Sequence, residues 1–255
     1  MTRVPKSEAE PDRPLLRRRK TPEDSREELI EAAIEVIGRK GLSRTTLADV
    51  AAKAGIGYGN VTFRFKTKGA LLLAALEKVA NEYMDCREKA AAAVANGTAA
   101  QRIDAMIVAS FSRRVTSQKK IALWHAFLSE RHIHSDYRKL FADLREREYN
   151  LTKAIFEEIV AVEPNKRADA HLAAVGLNSL IEGLWFNMRS VPNPLKPGEA
   201  QHIARVFLGS LFPVAFHDIL VQSCKREETF ATENSGKPVT MRDGGPGPAV
   251  NGKHA

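Results

Sequence analysis

The 255-residue chain has only two cysteines, Cys86 and Cys224, far apart and without C-x-x-C spacing. That excludes a disulfide scaffold and suits a reducing cytoplasm. No apolar run reaches 18 residues, so no membrane span is expected. The N-terminus is charged and lacks an apolar core segment, so it does not read as a secretory signal. Alternating β-branched runs are scarce, which argues against a sheet. Catalytic signatures are missing too: there is no H-E-x-x-H, no phosphate-binding loop and no G-x-S-x-G. His132 and His134 stand at i and i+2, which on a helix face different ways and make a poor metal pair. No catalytic residue, metal or cofactor is therefore expected.

What is present is a helical pattern with a positive excess at one end. Hydrophobic residues make up 44% of the chain, ample for a core, and the formal net charge is +8. Residues 1–68 hold 15 Lys and Arg against 10 Asp and Glu, a net of +5, which leaves +3 for the other 187 residues. An excess gathered in one quarter points to a polyanionic partner more than to solubility alone. The length allows one large domain or two small ones.

The pattern divides the chain into four parts. Residues 1–20 form a basic, polar extension ending in "LLRRRK", expected to be disordered, and Arg17 to Lys20 is either a solvated run or an arm that meets DNA. Residues 21–68 carry three short helical segments. Thr21, Pro22 and Asp24 open the first, with Leu29, Ile30, Ala33, Ile34 and Ile37 on one face and Gly41 at its end. Residues 69–223 repeat helical periodicity, with helices predicted from Thr67 or Lys68 to about Gly97 and near 99–115, 118–132, 137–161, 166–190 and 199–222. Pro164 and the proline-rich 190–199 mark breaks. Residues 224–255 are polar and rich in Gly and Pro, expected to be a disordered tail. The fold class is all-α.

The stretch "TTLADVAAKAGIGYGNVTFRFKTKGALL", Thr45 to Leu72, holds two short helices around Gly55-Ile56-Gly57. Two short helices joined by a glycine turn are the helix-turn-helix pattern. Leu47, Val50, Ala51 and Ala54 would pack the first on the preceding helix. Val61 and Phe65, at i and i+4, would anchor the second. That leaves Tyr58, Gly59, Asn60, Phe63 and Arg64 facing out. Asn can pair bidentately with adenine, Tyr can touch phosphate or a thymine methyl, and Arg supplies charge at the groove edge. Gly59 would let the helix lie close to the bases. Lys68 at the next helix start, with free backbone N–H groups beside it, suits a phosphate. The alternative is a compact three-helix unit with an incidental polar face.

This stretch resembles the DNA-binding signature of the TetR family of bacterial repressors. Thr46, Ala54, Gly55, Ile56, Gly59, Phe65, Lys68, Leu71 and Leu72 match, within a resemblance spanning residues 26–72. The resemblance implies a DNA-binding face of Thr45, Thr46, Gly57, Tyr58, Gly59, Asn60, Phe63, Arg64 and Lys68. It also implies a C-terminal ligand-binding and dimerisation domain. Three positions depart from the pattern. Gly57 replaces the usual capping Ser or Thr, Thr62 replaces a common Tyr, and Arg64 stands where His or Tyr precedes the final Phe. The bases read therefore need not be a relative's.

Two further segments, "ALWHAFLSERHIHSDYRKL" and "NSLIEGLWFNMRSVP", resemble the choline-responsive Bet repressor (BetI-like) subgroup. On the residues alone, Trp124, Phe127 and Leu128 share a helix face, and Glu182 and Trp185 stand at i and i+3. Aromatic faces with one carboxylate are what a quaternary ammonium needs. Ordinary core aromatics, with Glu182 solvated or at a dimer interface, are the plainer alternative. The reading is a cytoplasmic homodimeric repressor that binds a double-stranded operator and releases it on binding a small effector. The predicted helices 166–190 and 199–222 form its two-fold interface. The rivals are a TetR-type regulator of an apolar metabolite or drug, and a small helical enzyme with a degenerate N-terminal module.

Overall fold

A computed structural model describes residues 21–130, 135–163, 168–190 and 193–223. The basic run Arg17 to Lys20, the pair His132 and His134, Pro164, Cys224 and the tail to residue 255 lie outside the described residues. Among those described, the regular elements are helices: α1 (Pro22–Lys40), α2 (Leu47–Ala54), α3 (Tyr58–Arg64), α4 (Lys68–Ala93), α5 (Ala99–Ser110), α6 (Gln118–Glu130), α7 (Ser135–Val162), α8 (Ala170–Ser190) and α9 (Pro197–Leu211), then α10 over 217–223.

Local chemistry sets the N-terminal helices. α1 begins with a full capping box. The Asp24 N–H donates to Thr21 Oγ1 at 3.1 Å and the Thr21 N–H to Asp24 Oδ2 at 3.0 Å. Its expected apolar face, Leu29 to Ile37, is buried. α2 repeats the device with Thr46 and Asp49. It ends at Gly55, whose φ of 65° is left-handed backbone that a side chain would strain. Val50 and Ala51 bury against α1, and Val61 and Phe65 hold α3 from beneath.

α4 leaves this unit and runs 26 residues, about 39 Å at the usual helical rise, along the rest of the chain. It packs on α5, α6 and α7, while α8 closes on α7 and α9. α6 reaches back to lie against α1, so the N-terminal unit is seated on two helices of the C-terminal part. One continuous hydrophobic core runs from Leu29 to Phe216.

Two expectations need correcting. The predicted helix over 199–222 is broken: α9 stops at Leu211, and α10 begins at residue 217. Pro213 is the reason. Its ring disfavours helical backbone at the residue before it, and Phe212 has φ −130° and ψ 72°. The Glu163 carboxylate satisfies the freed N–H groups of Val214 and Ala215, at 3.0 and 2.7 Å. The predicted 99–115 helix likewise ends early, at Ser110.

The C-terminal helices meet at a buried charge. Arg87 of α4 is fully buried. Its guanidinium donates to Glu148 Oε1 (2.9 Å) and Thr152 Oγ1 (2.9 Å) of α7, to Asn178 Oδ1 (3.1 Å) of α8, and to the Tyr83 hydroxyl. Tyr83 in turn donates to Glu148. Burial pushes the Tyr83 phenol upward in pKa, so it stays a donor. Removing one partner of a buried pair leaves the other uncompensated. Glu148→Ala should therefore cost about 3–5 kcal/mol in urea unfolding. A loss below about 1 kcal/mol, the value of a surface pair, would show that the network is not what holds these helices.

Candidate nucleic-acid interface and ligand cleft

α3 ends in a tip of exposed side chains. Tyr58 is 56% exposed and Phe63 83%, and Gly57, Gly59 and Asn60 are also exposed. An aromatic ring left that open on a seven-residue helix has no packing role. The Tyr58 hydroxyl and the Asn60 amide are engaged with no other group among the described residues. Gly57 is the N-cap and provides no side-chain bond, as the sequence implied. Thr62 folds its hydroxyl back onto the Gly59 carbonyl at 3.0 Å. No acidic residue lies in the first turn, so the positive end of the helix is unopposed.

Four of the expected DNA contacts look different in place. Thr45 is buried and its hydroxyl donates to the Gly41 carbonyl at 2.8 Å, so its side chain offers no surface to DNA. Thr46 is exposed, but its hydroxyl is engaged with Asp49 as the α2 cap. Arg64 is half-buried, with Nη1 on the Pro22 carbonyl at 2.7 Å. It braces α3 against the start of α1 and is not a free cation. Lys68 holds the Ser43 carbonyl at 3.0 Å. Lys66, exposed between α3 and α4, is a cation the sequence reading passed over.

The aromatic residues converge in part. Trp124 of α6 and Trp185 of α8 meet edge to face at 6.2 Å. Tyr83 of α4 meets Trp185 at 4.9 Å, and Phe141 of α7 meets Trp124 at 5.0 Å. Phe127 faces away and pairs with Tyr137, while Leu128 packs on the core. Glu182 is not the carboxylate of this cluster. It pairs with Arg145 in a separate groove of about 370 Å³ between α7 and α8. The carboxylate at the Trp pair is Glu82, one turn from Val79 on α4.

Glu82, Tyr83, Arg114, Lys120, Trp124 and Trp185 line a cleft that is closed to about 10 Å³, room for about one water. Glu82 is paired with Lys120 across it and lies 3.8 Å from Lys78. Lys120 also donates to the Arg114 carbonyl at 2.8 Å. Trp185 Nε1 donates to the Ser110 carbonyl at 3.0 Å, whereas Trp124 Nε1 is buried without a hydrogen-bond partner. A larger groove of about 830 Å³ opens at the far end of α4, but no ring lines it. No group of three or more His, Cys, Asp and Glu among the described residues could hold a metal. No described helix is long and apolar enough to cross a membrane.

Comparison with known proteins matches the N-terminal and C-terminal parts of the chain to one family each. Residues 29–75 match the family of bacterial regulatory proteins of the tetR family, and residues 99–213 match the C-terminal region of BetI-type transcriptional repressors. The HTH-type transcriptional regulator BetI of Escherichia coli is 29% identical over 189 residues, which is 74% of this chain and 94% of that one. A solved structure described as a transcriptional regulator from Pseudomonas aeruginosa is 24% identical. It covers 78% of this chain and 96% of its own, with a TM-score of 0.67. Another, from Saccharomonospora viridis and solved in complex with choline, is 19% identical over 73% of this chain and 96% of its own, with a TM-score of 0.62. At those identities the two structures establish the fold.

The uncapped start of α3 gives a direct test. No atom lies within 4 Å of a Cβ built at Gly57, so Ser fits there without a clash. Gly57→Ser should stabilise the protein by a few tenths of a kcal/mol, read as a small rise in melting temperature. A fall would mean that the Gly57 backbone cannot present the hydroxyl as a cap.

Proposed function

The chain belongs to the TetR family of regulators with a BetI-type C-terminal domain, and from that premise we propose a homodimeric repressor released from its operator by a small quaternary ammonium compound. The observation that carries the DNA reading is the α3 tip: Tyr58, Asn60 and Phe63 stand together in solvent on a helix braced from behind by Val61, Phe65 and Arg64. Asn60 would read an adenine edge, and the rings of Tyr58 and Phe63 would meet thymine methyls. Lys66, and the first N–H groups of α4 beside Lys68, would hold phosphates.

The dimer face is α8 with α9. Leu172, Val175 and Phe186 are exposed along one stripe of α8, with Ser179 and Gly183 between them. Ile203 and Val206 continue the stripe on α9. Exposed apolar side chains in one line, interrupted by small residues, suit close packing of two copies of this helix pair into a four-helix bundle. The two α3 tips would then address successive major grooves, roughly 34 Å apart.

Effector response follows from how α6 is held. At its start, α6 touches α1 with almost nothing between them. A Cβ on Gly38 would lie 2.8 Å from Lys119 Cβ and 2.9 Å from its Cα. Arg189 of α8 grips the Gln118 carbonyl at 3.0 Å. About one and a half turns on, Trp124 of the same helix walls the cleft. Ligand pockets need roughly 300–1,000 Å³, so this cleft must open to be filled. Opening moves α6, and α6 bears on α1. A dimer with displaced N-terminal units no longer spans two grooves, and operator affinity falls. α4, continuous from one part to the other, carries the same movement.

An apolar effector is the rival, and it would have to lie against the Glu82–Lys120 pair without replacing either half of it. Operator selection from random DNA should return a two-fold site, and fluorescence anisotropy on that site should fall when a quaternary ammonium compound is added. Operator release by a long-chain fatty acyl ligand alone would sink the effector assignment. Asn60→Ala should relax base preference at one position per half-site, at about 1–3 kcal/mol of discrimination. Unchanged selectivity would mean that Asn60 does not face the bases.

A further inference from the structure

We infer that the cleft between α4, α6 and α8 takes a zwitterion, a trimethylammonium group joined by a short spacer to a carboxylate, in preference to a quaternary ammonium that carries no negative charge. This rests on the effector reading above and deepens it.

The argument begins with the charges at the cleft. Glu82 is its one carboxylate, and Lys120 and Arg114 are its cations. Lys78 also approaches Glu82, while holding Glu27 and Glu31 on its other side. A lone cation entering here must take Glu82 from Lys120. The ammonium it displaces is only 11% exposed and keeps a single neutral partner, the Arg114 carbonyl. An ion left without its counter-charge in a poorly solvated position is the expensive outcome. A lone cation also meets two cations, Lys120 and Arg114, against the one carboxylate of the cleft.

A zwitterion avoids both penalties, because it replaces each half of the broken pair. Its trimethylammonium would sit against ring faces of Trp124, Trp185 and Tyr83, with Glu82 as counter-charge. Its carboxylate would take Lys120 and reach Arg114, which is exposed beside it. The cleft thus offers one acceptor to a cation and two cationic donors, Lys120 and Arg114, to an anion. Insertion is electroneutral, and no buried charge is stranded.

The test compares two probes with the same head group, choline and trimethylglycine, which differ in ending in a hydroxyl or a carboxylate. Titration calorimetry of the full chain at fixed ionic strength should give trimethylglycine at least tenfold tighter binding. Lys120→Met should abolish that preference, since it leaves the carboxylate only the solvent-screened Arg114 and frees Glu82 for a bare cation. Glu82→Gln should weaken both probes. Choline binding as tightly as trimethylglycine in the unaltered protein overturns the inference while leaving a quaternary ammonium effector intact. A preference that survives Lys120→Met also overturns it. Binding of neither probe removes the inference together with the effector reading. The wild-type ratio decides even if the variants fail to fold.

Discussion

The guanidinium of Arg87 is the constraint on which the C-terminal part depends. A charge without solvent is tolerable only when its donors are matched and a counter-charge is at hand. The two terminal nitrogens are matched by three different helices at once, through Glu148 and Thr152 on α7 and Asn178 on α8, with Tyr83 on α4 itself, and Nε alone is left without a partner. The rotation and axial position of α4, α7 and α8 are therefore set together, because a shift of any one strands part of the charge. The orientation of Tyr83 follows. With its hydroxyl held between Arg87 and Glu148, its ring is fixed edge-on to Trp185. One wall of the candidate ligand cleft is thus set by a polar network behind it.

A second layer of charge runs from the cleft toward the N-terminal unit. Lys78 of α4 joins Glu27 and Glu31 of α1 to Glu82, and Lys119 of α6 approaches Glu31 and Glu35. Exposed pairs like these contribute little singly, about 0–1 kcal/mol. Their arrangement matters more than their strength, because Glu82 belongs both to this chain of pairs and to the cleft. Whatever takes Glu82 from Lys120 also alters its balance with Lys78, and Lys78 reaches α1.

The N-terminal half was readable from sequence because its signals are local. A cap, a stripe and a stop lie within a few residues of one another, so Thr21, Val50, Gly55, Val61 and Phe65 could be placed without knowing what they touch. Of the four exceptions, Thr45 and Thr46 turn to partners four and three residues away, whereas Arg64 and Lys68 have partners 42 and 25 residues away, and only the fold brings those carbonyls close. The cleft failed for the same reason. Glu182 is near Trp185 in sequence and so is the carboxylate that spacing offers it, yet a helix carries it toward Arg145. Glu82 is about 100 positions from Trp185 and arrives through α4. Arg87 did leave a trace, as a charge at an apolar position of α4, i+4 from Tyr83. Pro213 was also in plain view, and its effect on Phe212 breaks a helix that periodicity alone ran through.

The junction at Gly38 carries a consequence for how sharply such a protein can respond. Most helix pairs meet through interleaved side chains, which rotate and compress and so absorb part of any displacement. Where α6 crosses α1, one helix contributes no side chain, and the other presents Lys119 almost at its backbone. There is no compliant layer, and movement at the cleft would pass to the N-terminal unit with little lost along the way. On the proposed mechanism, stiffness at a single residue without a side chain would set the gain between a small rearrangement around Trp124 and the position of a helix some distance from it.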